Sequence, residues 1–158
     1  EATQAFYKEV QNKLLFAVSG KTAAELVYYR ANASLPMMGL TTTKVPGKVR
    51  KTDVTTGKNY LTEEELQALK LIVEQYLAFA EAQARAQRPM YMKDWIDRLG
   101  LILTMNEYTI LDHAGKITHE LAVHRAEGQY ALYLEHEREI QHLESLRELD
   151  RDLKALKR

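Results

Sequence analysis

The chain has 158 residues, 46% of them hydrophobic, which suits a single domain with its own core. Its 22 basic and 22 acidic residues cancel, which argues against nucleic-acid binding through bulk charge but leaves room for a local basic patch. With no cysteine, the chain can form neither disulfides nor thiolate metal sites. Its apolar runs are far shorter than the ~20 residues of a membrane helix and no signal peptide opens it, so we expect a cytoplasmic protein with no membrane contact.

The chain opens with a helical pattern. Phe6, Val10 and Leu14 recur every four residues, which places them on one stripe of a first helix that should end near Gly20.

Two capping boxes predict the next two helix starts. Thr22 followed by Glu25 opens a second helix that should reach about residue 32. Thr62 followed by Glu65 opens a third, which has to end before Pro89. The segment 34–52 between these helices is rich in Pro, Gly, Thr and Met, and it is long for a structureless connection, which is typical of functional loops.

A fourth helix should start near Met92. Gly100 is predicted to interrupt or bend it, and Asn106 to cap another short helix. The aromatic and methionine side chains of residues 90–95 are predicted to form a core hinge, with an exposed binding stripe as the alternative. We expect Trp95 at the centre of the body, against the helices that carry Phe6 and Tyr76.

The last helix should begin at Thr118, after a stop at Gly115, and continue to the end of the chain. A heptad pattern fits five leucines: Leu132, Leu146, Leu149, Leu153 and Leu156. Glu139 and His142 occupy the matching positions between them, while Ile140 and Leu143 define a shifted register. The pattern predicts an imperfect coiled coil that pairs with another copy through residues 130–156, as a homo-dimer or higher homo-oligomer.

Several short motifs resemble phosphate-binding or metal-binding motifs, but each lacks a residue or a spacing that the site requires. The string 20–22 (GKT) lacks the first glycine of a phosphate-binding loop, because Leu15 stands there. On a regular helix His119 and His124 lie about 140° apart, so they cannot share a metal. Glu139 and His142 have the spacing of a di-iron ligand pair, but the second pair is missing. We therefore expect neither a metal nor a cofactor.

Two interpretations remain open for the segment around Gly115. A helix break there could bring His113, Lys116 and His119 into one small volume beside a helix N-terminus, as a catalytic or anion-binding site. The plainer alternative is that His113 caps the preceding helix and His119 packs in the first turn of the next.

The one concentration of charge lies between residues 44 and 58. Five cations face a single acid, Asp53, and they are interleaved with threonines: Lys44, Lys48, Arg50, Lys51 and Lys58. No aromatic residue lies between Lys44 and Asn59, so weak contact with a nucleic-acid backbone is the most that this patch predicts. A solvated or partner-docking loop is the alternative.

Three segments, 90–95 (MYMKDW), 20–25 (GKTAAE) and 113–120 (HAGKITHE), resemble the C-terminal half of the RhuM family of bacterial virulence-associated proteins. Matching segments at 30–34 (RANAS), 38–41 (MGLT), 48–54 (KVRKTDV) and 58–65 (KNYLTEEE) extend the resemblance from about Phe6 to about Leu121. The resemblance implies that the chain is a C-terminal fragment whose partner is an N-terminal half of about equal length. It implies no particular biochemical activity.

The sequence thus predicts an all-α bundle of five to seven helices that ends in a long, projecting, coiled-coil-like helix. Residues 6–121 are predicted to form the body, and residues 122–158 the oligomerisation element. The predicted function is a non-enzymatic assembly or interaction module. The alternative is a hydrolase or nucleic-acid-processing domain that uses the site near residues 113–119 together with the basic loop.

Overall fold

The computed structural model describes residues 1–157, which fold into six α-helices. In chain order these are α1 (Ala2–Ser19), α2 (Ala23–Arg30), the single-turn α3 (Lys51–Val54), α4 (Glu63–Arg85), α5 (Met92–Met105) and α6 (His119–Leu156). Two 3-10 turns, Pro36–Gly39 and Gly57–Tyr60, flank α3, and no strand forms within residues 1–157. The predicted all-α fold with a long final helix is confirmed.

Across these 157 residues, no helix combines the length and the apolar character that crossing a membrane requires.

Both predicted capping boxes are present. The Thr22 hydroxyl accepts from the Glu25 backbone N–H at 3.3 Å, and the Glu25 carboxylate accepts from the Thr22 N–H at 2.9 Å. Thr62 and Glu65 make the same pair of hydrogen bonds at 3.2 and 2.8 Å. Because each box satisfies two N–H groups that a helix start leaves free, the starts of α2 and α4 fall where the sequence places them.

The expected break in α5 does not form. Gly100 lies inside the helix, and Asn106 is the residue at its C-terminal end, where its side chain donates to the Ile102 carbonyl at 2.8 Å. An interior glycine costs a helix about 1 kcal/mol relative to alanine. Burial of Leu99 and Leu103 on the inner face of α5 outweighs that cost, so the helix continues through Gly100.

The core consists of three adjoining clusters of buried side chains. One joins α2, the long loop and the start of α6, and it consists of Val27, Ala31, Met38, Leu40, Val49, Val54, Tyr60, Ala122 and Ala126. A second lies between α4 and α5, with one face of α1 against it, and consists of Ile72, Leu99, Ile102 and Leu103. A third, Leu15, Leu26 and Leu61, links α1 to α2 and to the start of α4. The body is therefore closed by the first turns of α6 as well as by the earlier helices.

Trp95 is not at the centre of the body. It is half-buried in the first turn of α5, and its ring meets that of Tyr76 edge to face at 5.5 Å between centroids. The Tyr76 hydroxyl donates to the Trp95 carbonyl at 2.6 Å, and burial raises the pKa of Tyr76 to about 12. Tyr91 and Met92 are exposed, so the predicted core hinge was wrong. The buried positions of α5 lie one and two turns further on, away from the exposed α4–α5 connection.

The long loop after α2 is ordered by a buried methionine. Met37, Met38 and Gly39 have φ angles of 53°, 58° and 80°, a left-handed turn that is costly for the two methionines. The Met38 side chain is fully buried, and its carbonyl accepts from the Asn32 N–H at 3.2 Å. Burial of that side chain offsets the strain and ties the loop to the end of α2.

Gly57 is packed directly against the backbone of α2, and we predict that it tolerates no side chain. A Cβ on Gly57 would lie 2.7 Å from the Ala23 carbonyl oxygen and 2.9 Å from the Ala23 Cα. Gly57→Ala should therefore lower the free energy of unfolding by about 1–3 kcal/mol, measured by denaturant unfolding.

Gly128→Ala is the matched control, because Gly128 is a mid-helix glycine with nothing within 4 Å of an added Cβ. That variant should be more stable than the parent by about 0.5–1 kcal/mol. A gain in stability from both variants, or no effect of Gly57→Ala, would contradict the close packing of the loop on α2.

Candidate functional site

The first candidate region is built on the junction between α1 and α2. Gly20 ends α1 in a left-handed conformation, with φ of 69°, and its N–H donates to the Phe16 carbonyl at 2.8 Å. The Asn12 side chain accepts from the Ala23 N–H at 2.9 Å and so fixes the start of α2 against α1. Since Thr22 caps the same start, residues 20–25 serve as a helix stop and restart, as predicted.

Glu25 connects this junction to the segment before α6. One carboxylate oxygen accepts from the Thr22 N–H, and the other accepts from the Lys116 N–H at 2.7 Å. Gly115 is packed directly over the junction, because a Cβ there would lie 2.9 Å from the Thr22 side chain. The segments 20–25 and 113–120, which are far apart in the chain, therefore form one structural unit.

The electrostatics of Glu25 fit this role. Burial alone would raise the pKa of its carboxyl, but the backbone hydrogen bonds from Lys116 and Thr22, with a smaller attraction to His113, outweigh that effect and lower it. Glu25 is therefore charged at neutral pH, and both of its oxygens are occupied by backbone donors. A carboxylate in that state is a structural anchor and does not serve as a general base.

A cleft of about 700 Å³ opens beside this unit, between α1, the start of α6 and residues 55–57. Lys116 and His119, two of the three predicted catalytic candidates, line it together with Lys8, Asn12 and Glu120. The third candidate, His113, lines a neighbouring cleft of about 560 Å³. Lys8 and Asn12 border both clefts.

His113 has a local structural role. Its Nδ1 accepts from the Gly115 N–H at 3.0 Å, and its ring packs edge to face on Phe16 at 5.4 Å between centroids. It does not cap α5, which ends well before it, and His119 is exposed at the start of α6. The structure thus brings two of the three candidates to one cleft and separates the third. Nowhere in residues 1–157 do three His, Asp or Glu side chains group closely enough to hold a metal ion.

Lys8 and Asn12 line the cleft as well, although they were not predicted from the sequence as candidate site residues. Their i, i+4 spacing placed them on one face of α1, and that was the available signal. The apolar stripe of the same helix is the stronger signal, and nothing in the local sequence shows that the polar face meets the segment before α6.

The second candidate region is the basic loop, residues 44–58. All five of its cationic side chains are exposed: Lys44, Lys48, Arg50, Lys51 and Lys58. Its one acid, Asp53, is buried and accepts from the backbone N–H groups of Lys44 and Arg50 at 3.1 and 3.0 Å. The outer surface of the loop is therefore more positive than its composition suggests. Lys51 is partly neutralised by Glu127 of α6, at 3.1 Å.

The third candidate region is the outer part of α6. Its first turns belong to the body, because Ala122 and Ala126 are buried and Tyr130 and Tyr133 pack against the core. From residue 138 to residue 157 every side chain is exposed. Six large apolar side chains lie in that exposed stretch: Ile140, Leu143, Leu146, Leu149, Leu153 and Leu156. The apolar side chains that a coiled coil would bury are thus exposed along the whole projecting part of the helix.

The fold and these three regions define an all-α protein in which a compact helical body carries a long projecting helix. The chain belongs to the Virulence protein RhuM family, whose family model matches residues 1–141. Neither the comparison with curated proteins nor the comparison with solved structures gives a match.

Proposed function

We propose that this chain is a non-enzymatic assembly module, in which the helical body is held to a second copy through the projecting part of α6. One observation carries the proposal: Leu146, Leu149 and Leu153 are 49%, 56% and 49% exposed, on a stripe that continues in both directions. Burying a fully exposed leucine is worth about 1.5–3 kcal/mol, so half-exposed residues can each contribute roughly 1 kcal/mol on association. A contiguous exposed stripe of this length is typical of an interaction surface.

The cleft beside Glu25 supports the assembly role over an enzymatic one. The buried carboxylate of Glu25, beside the cleft, accepts from two backbone N–H groups, and His113 accepts from the Gly115 N–H in the neighbouring cleft. A catalytic site needs an acid or base that is free to reach a substrate. Lys116, His119 and Glu120, which line the cleft, are exposed, and no hydrogen bond within residues 1–157 joins two of these side chains into an acid–base pair.

The first test is the oligomeric state. The full chain should sediment as a dimer or larger assembly at tens of micromolar, and a chain cut after Glu135 should be a folded monomer, because the cut removes the exposed stripe and leaves the core intact. A monomeric full chain whose last helix is still formed would refute the assembly role.

Matched substitutions separate the stripe from the helix as a whole. Leu146→Ser with Leu149→Ser should dissociate the assembly. Glu144→Ser with Arg151→Ser, which lie at least about 140° around the same helix from both leucines and leave the net charge unchanged, should leave it unchanged.

The basic loop is the second contact surface in this proposal. Its five exposed cations suit weak backbone contact with nucleic acid, so duplex and single-stranded DNA should bind weakly at low salt, without sequence preference, and dissociate near physiological salt. Changing Lys48, Arg50 and Lys51 together to Ala should remove this binding, as measured by titration at both salt concentrations.

The control for the loop replaces three exposed cations elsewhere, Lys70, Arg85 and Lys93, with Ala. That variant has the same change in net charge and should bind like the parent. Absence of binding at low salt, or equal loss in the two triple variants, would leave the loop as a protein-docking or purely structural element.

A further inference from the structure

The basic loop is packed on the first turns of α6. Val49 and Val54 of the loop are buried in the same cluster as Ala122 and Ala126 of the helix. The single-turn α3, which lies inside the loop, contacts α6 directly. The exposed cations of the loop and the neighbouring side chains of α6 therefore belong to one packed surface.

Glu127 is an acid that α6 contributes to this surface. Its Oε1 lies 3.1 Å from the Lys51 Nζ, and both side chains are open to solvent, Lys51 at 67% and Glu127 at 43%. Ala126, the residue before it, is buried in the core, which fixes this turn of α6 relative to the loop. Within residues 1–157, no ion pair joins the other four loop cations to an acid. In the part of the chain that the structure describes, Lys51 is thus the one loop cation with a paired charge.

The Lys51–Glu127 pair matters more for binding than for stability. An exposed ion pair adds little to the stability of a fold, because water and salt screen it and two long side chains lose freedom. A phosphate that approaches Lys51, however, meets a carboxylate beside the ammonium group. It either displaces Glu127 or binds next to a pair with no net charge. In both cases Lys51 contributes less to the binding of a polyanion than an unpaired cation does.

We infer that Glu127 limits the contact of the basic loop with nucleic-acid phosphates by cancelling the charge of Lys51. The inference rests on the nucleic-acid contact proposed above, and it names the residue that sets the strength of that contact. Four effective cations remain in the parent chain: Lys44, Lys48, Arg50 and Lys58. Each phosphate that a cation neutralises on duplex DNA adds about 0.9 to the steepness of log K against log salt. The parent therefore has an upper limit of about 3.6, and a fifth effective cation raises that limit to about 4.5.

Removal of the carboxylate in the full chain should strengthen binding. Glu127→Gln keeps the size of the side chain and leaves Lys51 unpaired. This variant should bind a random-sequence DNA duplex about 3- to 15-fold more tightly than the parent at about 50 mM salt, and its logarithmic salt dependence should be steeper by about 0.9. Titrations at several salt concentrations measure both quantities. The denaturant midpoint of unfolding should match that of the parent, because the pair is exposed.

Two further variants separate the local pair from the change in net charge. Lys51→Ala combined with Glu127→Gln removes both members of the pair, so it should return the affinity and the salt dependence to those of the parent. Glu148→Gln makes the same change in net charge as Glu127→Gln, but it lies further along α6, about 30 Å from position 127. At about 50 mM salt that distance exceeds the screening length, so Glu148→Gln should bind like the parent.

The outcomes distinguish the role of Glu127 from the nucleic-acid contact itself. No DNA binding by the parent or by Glu127→Gln at low salt would remove the contact and the inference together. Binding by the parent that Glu127→Gln leaves unchanged would overturn the role of Glu127 and leave the contact in place. An equal gain from Glu148→Gln, or a gain that persists after Lys51→Ala is added, would also overturn it, because the gain would then not come from Lys51. Binding by Glu127→Gln that the parent lacks would support the inference.

Discussion

Glu25→Ala is expected to lower the free energy of unfolding by about 2–4 kcal/mol, the combined effect of losing a helix cap and two charged hydrogen bonds. The substitution leaves the Thr22 N–H without an acceptor inside the fold and releases the Lys116 N–H that holds the segment before α6. Denaturant unfolding at neutral pH measures the change. A loss below 0.5 kcal/mol, the range of ordinary surface substitutions, would contradict the anchoring role of Glu25.

The effect of Glu25 should depend on pH in a defined direction. Because the pKa of its carboxyl is lower in the folded protein than in the unfolded chain, the carboxylate stabilises the fold above the unfolded pKa of about 4.3, and this contribution is lost as the pH falls through the folded pKa. Glu25→Gln is the matched variant that keeps the shape without the charge. The stability difference between the parent and this variant should be largest near pH 7 and should shrink below about pH 4.

Leu103→Ala is expected to cost about 2–5 kcal/mol, the usual cost of a cavity left by a fully buried leucine. Leu103 is 0% exposed in the cluster between α4 and α5, so little solvent can replace the lost contacts. Leu101 lies two residues earlier in the same helix and is 58% exposed, so Leu101→Ala should change stability by less than about 0.5 kcal/mol. Similar losses in the two variants would contradict the inward face assigned to α5.

Trp95→Ala should cost less stability than the sequence-based prediction of a central Trp95 implies. With Trp95 central in the core, the cost would be about 3–5 kcal/mol. In its half-buried place against Tyr76, the cost should be about 1–2 kcal/mol, because part of its surface is in water in the folded protein. Thermal or denaturant unfolding of this variant beside Leu103→Ala ranks the two positions.

Local signals made the helix starts predictable. Thr22 and Thr62 are each followed three residues later by a glutamate, and Thr118 comes three residues after Gly115, so the hydrogen bonds that begin α2, α4 and α6 are formed by neighbours in the chain. The place of Trp95 was not predictable in the same way. A helical period shows which face of α5 is apolar, but not where along its length α5 meets α4 and α1.

The candidate site shows the same limit. The sequence identified Glu25 as the glutamate of a capping box, and that is correct for one of its oxygens. The other oxygen accepts from Lys116, a partner that no local pattern reveals. In the same way, the charge bias of the basic loop could be counted from composition, whereas the burial of Asp53 beneath it follows from the fold of residues 44–53.

The hydrogen bonds that join α6 and the segment just before it to the first third of the chain constrain the order in which the body forms. Glu25 binds the Lys116 N–H across 91 residues, the Arg125 guanidinium donates to the Tyr28 carbonyl across 97, and the Ala33 N–H donates to the Gln129 side chain across 96. The core that joins α2 and the long loop therefore cannot form until the start of α6 has been synthesised. Such long-range contacts slow folding relative to a bundle with only local contacts. The exposed stripe of α6 follows in the chain every residue that the core contains. The core residues are therefore synthesised before the surface that we propose for contact between copies.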